Sequence, residues 1–247
     1  MASANEYREA LKGTGPIPPA QGIYEMSETA KAVLGQRIEF HDGRVFRYAK
    51  AGASNLAPGK LVQAGTINAA GYLNKACAAA AVGAYSVTVT TSAAVTTGEE
   101  GYLQINDASG EGIQYKIKKT AANATTATKT DVTLYDPIAT ALTASSEATI
   151  ILNPYEAVVI CAATTDIVLG VPPITVTAEY YFWLQTWGLA CVLAEGTPPA
   201  GNMVTIAAGT MPGGTTIVAS DIAPTIGRQV LVGVNGEYKP VFLMITP

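Results

Sequence analysis

Apolar and polar residues alternate in short runs over most of this 247-residue chain, which is the two-residue period of strands with one buried face. Arg37-Ile38-Glu39-Phe40 and the run from Arg44 to Lys50 flank His41-Asp42-Gly43, and the Asp-Gly pair predicts a hairpin turn between them. Ala57-Pro58-Gly59 then turns the chain into another short strand at 60–64. Five further β-type runs, at 86–90, 102–105, 113–118, 131–135 and 149–152, are divided by turns rich in Gly, Asp, Asn and Thr. Residues 121–130, nearly all Ala and Thr, predict an exposed hairpin loop.

Short strands at 158–161 and 174–176 are expected on either side of the bend Gly170-Val171-Pro172-Pro173, before the aromatic run Tyr180-Tyr181-Phe182-Trp183-Leu184. Near the C-terminus, 226–234 and 237–245 predict two strands around Asn235-Gly236. The pattern at 76–84 fits a short helix or a linker equally well.

The first thirty-odd residues read as an extended arm. Gly13-Thr14-Gly15-Pro16-Ile17-Pro18-Pro19 permits neither a helix nor a central strand, and the helix-like stretches 6–11 and 28–34 are too short to stand without packing. Residues 201–204 echo 58–62, which suggests one barrel interrupted by an insertion. The expected fold is therefore mainly β: a short-stranded β-barrel or sandwich (36–82 plus 178–247), an inserted small β domain (83–177) and an extended N-terminal arm (1–35).

Composition moves the picture away from catalysis. The chain has one histidine, and no lysine or arginine lies between Thr130 and Gly227, so the residue types that carry acid–base chemistry and phosphate binding are scarce. Charged residues make up 14% of the chain against 49% hydrophobic, below the roughly 25% charged of average proteins, which argues against disorder. Residues 1–60 carry eight Lys/Arg against six Asp/Glu and residues 130–247 two against nine, a polarity that favours the N-terminal part as the docking side. Lys116, Lys118 and Lys119 form the one tight basic group, so no nucleic-acid partner is expected. No run reaches the ~18 apolar residues of a membrane helix, so no membrane partner is expected. The first residues lack a signal-peptide pattern, which predicts synthesis in the cytoplasm without export. Cys77, Cys161 and Cys191 are dispersed and read as small buried hydrophobes.

Each candidate for chemistry has a plainer reading. His41 sits in a turn. Asp107-Ala108-Ser109-Gly110-Glu111-Gly112 lacks the alternating ligands of a calcium loop, and Asp107 with Glu111 is a remote candidate for a glycosidase acid pair. Gly209 to Gly214 lacks the lysine and helix of a phosphate loop. No catalytic residue, metal or cofactor is therefore expected. Tyr180 to Trp183 could form a sugar-stacking platform; strand alternation sends Tyr181 and Trp183 to one side as glycan candidates, and Tyr180 and Phe182 to the other as subunit-interface candidates.

Five segments carry a resemblance: 43–53 (Gly43-Arg44-Val45-Phe46-Arg47-Tyr48 onward), Tyr135-Asp136-Pro137-Ile138, Asn153-Pro154-Tyr155, 180–186 and the closing block 226–238. The chain resembles structural proteins of tailed bacteriophages, most nearly capsid decoration, or cement, proteins. The resemblance implies a non-enzymatic component of the virion surface, made in the host bacterial cytoplasm. It also implies binding to the major capsid protein, commonly as a homotrimer, to stabilise the head. A neck or tail structural role and a host-glycan adhesin are the alternatives. The residues expected at the capsid or subunit interface are Ile17, Pro18, Ile23, Tyr24, Arg44, Arg47, Tyr180 and Phe182.

Overall fold

The structure, a computed structural model, describes residues 20–67, 69–162, 167–206, 214–216 and 225–246. Its regular structure is all strand; no helix occurs among the described residues. The chain divides into two compact units, Met1–Gly65 with Tyr155–Pro247 and an intervening Thr66–Pro154. The first unit opens with β1 (Met26–Ser27), β2 (Arg37–Glu39), β3 (Val45–Lys50) and β4 (Val62–Gln63). The intervening unit contains β5 (Lys75–Ala76), β6 (Ser86–Thr90), β7 (Tyr102–Asp107), β8 (Gln114–Ala122), β9 (Lys129–Leu134) and β10 (Glu147–Ile151). The chain then returns to the first unit through β11 (Val159–Ile160), β12 (Val168–Gly170), β13 (Tyr181–Leu193), β14 (Met203–Ile206), β15 (Gly214–Thr216), β16 (Thr225–Gln229) and β17 (Tyr238–Met244).

The intervening unit is a six-stranded sheet in the order β5-β10-β7-β8-β9-β6. Its two ends meet, because Cys77 bridges Val89 and the Ala78 amide donates to the Thr88 carbonyl at 2.8 Å. Closure removes the exposed edges that an open sheet would present. Alternate residues of the strands, among them Val87, Val89, Leu103, Ile105, Ile117, Val132, Leu134 and Ile150, fill the interior.

In the first unit an eight-stranded sheet runs β15-β14-β16-β17-β13-β3-β2, with β1 also on β13, beside a three-stranded sheet β11-β4-β12. Two single bridges join them: Ala51 to Val158, and Val171 to Gln185. The path β3-β11-β4-β12-β13 thereby forms a barrel-like ring. Leu61, Val168 and Val171 on one side meet Ala190, Val192, Val241 and Leu243 on the other in a shared core.

Several expectations are corrected. The intervening unit begins at Thr66 and ends at Pro154 rather than spanning 83–177, because β5 pairs with β10 while β11 and β12 pair with β4 of the first unit. Residues 20–35 are not a free arm: Ile23 and Ala32 join Ile38, Phe40, Phe46, Tyr48 and Trp183 in one cluster. The Ala/Thr stretch 121–130 is only in part a loop, because β8 runs to Ala122 and β9 starts at Lys129, with the Thr130 hydroxyl buried 2.9 Å from that of Thr91. Of the closing hairpin, 230–237 is loop. Only Gly236 has positive φ (77°), so Asn235-Gly236 is not the type I′ turn that joins strands directly. Cys191, expected inside, is exposed.

Candidate interaction surface

Long strand β13 is the axis of the first unit. Ahead of its bulge between Gln185 and Trp187 it is covered on both sides. Trp183 packs edge-on against Tyr48 at 4.9 Å and donates its indole N–H to the Gln21 carbonyl at 2.9 Å. The Tyr48 hydroxyl donates to the Gln21 side-chain oxygen at 2.7 Å, and burial raises the Tyr48 pKa. Gly170 lies against Leu184 from the opposite side.

Past the bulge the situation reverses. Leu189 pairs with Phe242, Phe242 with Arg228, and Arg228 with Met203, so one row crosses β13, β17, β16 and β14. Their neighbours in register, Ala190, Val241 and Gln229, are buried, whereas Leu189, Phe242 and Met203 are 52%, 42% and 42% exposed. Trp187 and Met244 pair in a nearby row, and the Trp187 ring meets Phe242 edge-on at 6.1 Å. Beyond β16, Val230, Leu231, Val232 and Val234 are also exposed. That loop is held in shape by the Gly233 amide on the Pro198 carbonyl (2.8 Å) and the Gln229 side-chain amide on the Leu231 carbonyl (2.6 Å). Leu189, Phe242, Trp187, Met203 and Met244 thus share this sheet face with Arg228, and aromatic residues, Met and Arg are the types enriched at protein interfaces.

The residues expected at an interface are scattered by the fold. Ile17 and Pro18 lie outside the described residues. Ile23 and Phe182 are buried within their own unit and cannot touch a partner. Arg44 is half-buried, its Nε 2.6 Å from Asp42 and its guanidinium over Phe40 and Phe46. Arg47 donates to the Gly35 carbonyl and lies over the Tyr155 ring. Tyr180 donates to Glu28, a hydrogen bond that raises its pKa. Among the described ones, Tyr24 alone is largely exposed. The glycan platform does not form: Trp183 is 0% exposed and Tyr181 stacks on Tyr48 at 5.9 Å. Near Tyr181, Lys50 pairs with Glu179 at 2.6 Å, and this hydrogen bond raises the Lys50 pKa.

Asp107 accepts from the Ala108 amide and Glu111 is exposed in the same turn. No group of three or more His, Cys, Asp and Glu residues suited to a metal occurs among the described residues. The exposed row on β13, β14, β16 and β17 escaped sequence reading because its apolar side chains alternate just as those of a half-buried strand do. No family model, characterised protein or solved structure matches this chain.

Proposed function

We propose that this chain is a non-enzymatic structural protein of a tailed-phage virion, of the decoration type, and that the sheet face of Leu189, Phe242 and Met203 around Arg228 seats it on the major capsid protein. The uncovered apolar face carries the reading. A face of this composition suits a protein partner, and the acidic balance of residues 130–247 leaves Arg228 as a cation amid apolar contacts. On a shell, many copies bind at once, so avidity multiplies weak contacts without a deep pocket. Self-association into a homotrimer belongs to the same proposal.

The test is mass spectrometry of purified virions with copy-number determination, for the wild-type chain and for Leu189→Glu with Phe242→Glu. Leu189 and Phe242 are direct cross-strand partners and the Phe242 ring also meets Trp187, so the two carboxylates are expected to cost roughly 1–2 kcal/mol together, and circular dichroism of the purified variant checks that it is folded. The expected result is a chain present at high copy in heads, and a variant that folds but is lost from particles. A low fixed copy number would assign the chain to the neck or tail, and its absence from particles would overturn the reading.

A further inference from the structure

The outer surface of the intervening unit carries a patch of its own. On β7 and β8, Tyr102 stands opposite Lys116 and Gln104 opposite Gln114. Leu103, Ile105, Tyr115 and Ile117, which alternate with them, are buried, so these four side chains share the outer side. Tyr135 joins the first row, since its amide donates to the Lys116 carbonyl at 3.0 Å and its neighbour Leu134 is buried. Tyr102 and Tyr135 are 37% and 47% exposed, which leaves part of each ring open to solvent.

Both ends of the patch are fixed by its own hydrogen bonds. The Lys116 ammonium lies 4.5 Å from the centroid of the Tyr102 ring and donates to the Glu100 carbonyl. The Tyr135 hydroxyl donates to one Glu100 carboxylate oxygen, and the other is 3.5 Å from the Lys116 ammonium. Farther along β7, the Asn106 side-chain amide donates to the Asn74 side-chain oxygen at 2.8 Å and to the Thr149 hydroxyl at 2.6 Å. Thr149 is in turn the partner of Gln104 in register. Between these fixed ends, neither Gln104 nor Gln114 has a side-chain partner among the described residues.

We propose that this patch binds a neutral oligosaccharide. Tyrosine rings give flat apolar faces for the C–H side of a sugar ring. The two open amides each present an acceptor and two donors, which suits hydroxyl groups that both give and take hydrogen bonds. With the Lys116 charge balanced by Glu100, the centre of the patch favours neither an anion nor a cation. Size favours a sugar over a protein: the rows of Tyr102, Gln104 and Asn106 and the columns from Tyr102 to Tyr135 span about 14 Å by 10 Å, whereas a stable protein contact covers about 800 Å² on each partner. Because Tyr102, Lys116 and Tyr135 are already held, little ordering cost accompanies binding. These residues are distinct from Tyr181 and Trp183 and lie wholly within 66–154, so the site stands apart from whether the first unit meets a capsid.

The test is a glycan array followed by isothermal titration calorimetry on the purified full-length chain. The probes are neutral oligosaccharides of glucose, mannose, galactose and N-acetylglucosamine, with dextran sulfate as the anionic arm. Binding to at least one neutral class is expected. Tyr102→Ala, and separately Gln104→Ala with Gln114→Ala, should weaken it roughly tenfold or more, while Tyr24→Ala in the first unit leaves it unchanged. Circular dichroism checks each variant, and the glutamine pair, exposed and without side-chain partners among the described residues, carries the test should Tyr102→Ala fail to fold. Binding of dextran sulfate alone would overturn the neutral ligand. Undiminished binding by the folded variants would overturn the site, and binding of no probe would overturn both.

Discussion

Trp183 is held at both ends of its side chain. Its ring meets Tyr48 and its N–H reaches the Gln21 carbonyl, a residue 162 positions away in sequence. Replacing it by Leu would leave a cavity and orphan that carbonyl, so Trp183→Leu is expected to cost roughly 3 kcal/mol, read as a lower urea midpoint at unchanged m-value. The same contacts explain why the aromatic run was misread. Alternation at 180–183 is legible in the sequence, but alternation says only that two sides differ. It cannot say that the segment carrying Gln21 and Ile23 folds over one side while barrel residues cover the other. Arg44 and Arg47, expected at an interface, are spent on Asp42 and Gly35 of their own unit.

Turn chemistry sorts the elements into those that could be read and those that could not. At 40–44 the Gly43 amide donates to the Phe40 carbonyl, the Phe40 amide donates to the Arg44 carbonyl, and Gly43 has φ of 83°. This is a three-residue hairpin loop with a left-handed glycine, and its strands lie where the Asp-Gly signal puts them. At 230–237 the same kind of signal misleads, because Ala194 takes the Glu237 and Gly236 backbone groups that a hairpin partner would have used. Within β13, Gly188 has φ of 84° and a Cβ there would come within 2.9 Å of the Gly43 carbonyl. Gly188→Ala should therefore destabilise the first unit by roughly 2 kcal/mol. Thermal unfolding followed by near-UV circular dichroism, which reports the Trp183 cluster, would show the loss.

At the scale of the molecule, an insertion interrupts one unit at neighbouring points. A Cβ on Gly65 would lie 2.4 Å from the Ala157 carbonyl, so the first unit's chain ends meet where the intervening segment departs and returns. The intervening unit has its own closed sheet and its own core. Residues 66–154 made alone should therefore unfold in one cooperative transition, and a chain with 66–154 replaced by a short Gly-Ser linker should keep the first unit folded. Heteronuclear NMR of both pieces checks this; a collapsed spectrum from either would show that the units depend on each other. From the sequence by itself came the mainly β class, the first hairpin, the five strands of the intervening unit and the scarcity of catalytic residue types, because these follow from local period and composition. Tertiary structure alone decided the unit boundaries, the burial of Phe182 and Trp183, and the exposure of Leu189, Phe242 and Met203. The physical reason is that a strand's period marks two faces, while which of them meets water depends on segments far away in the chain.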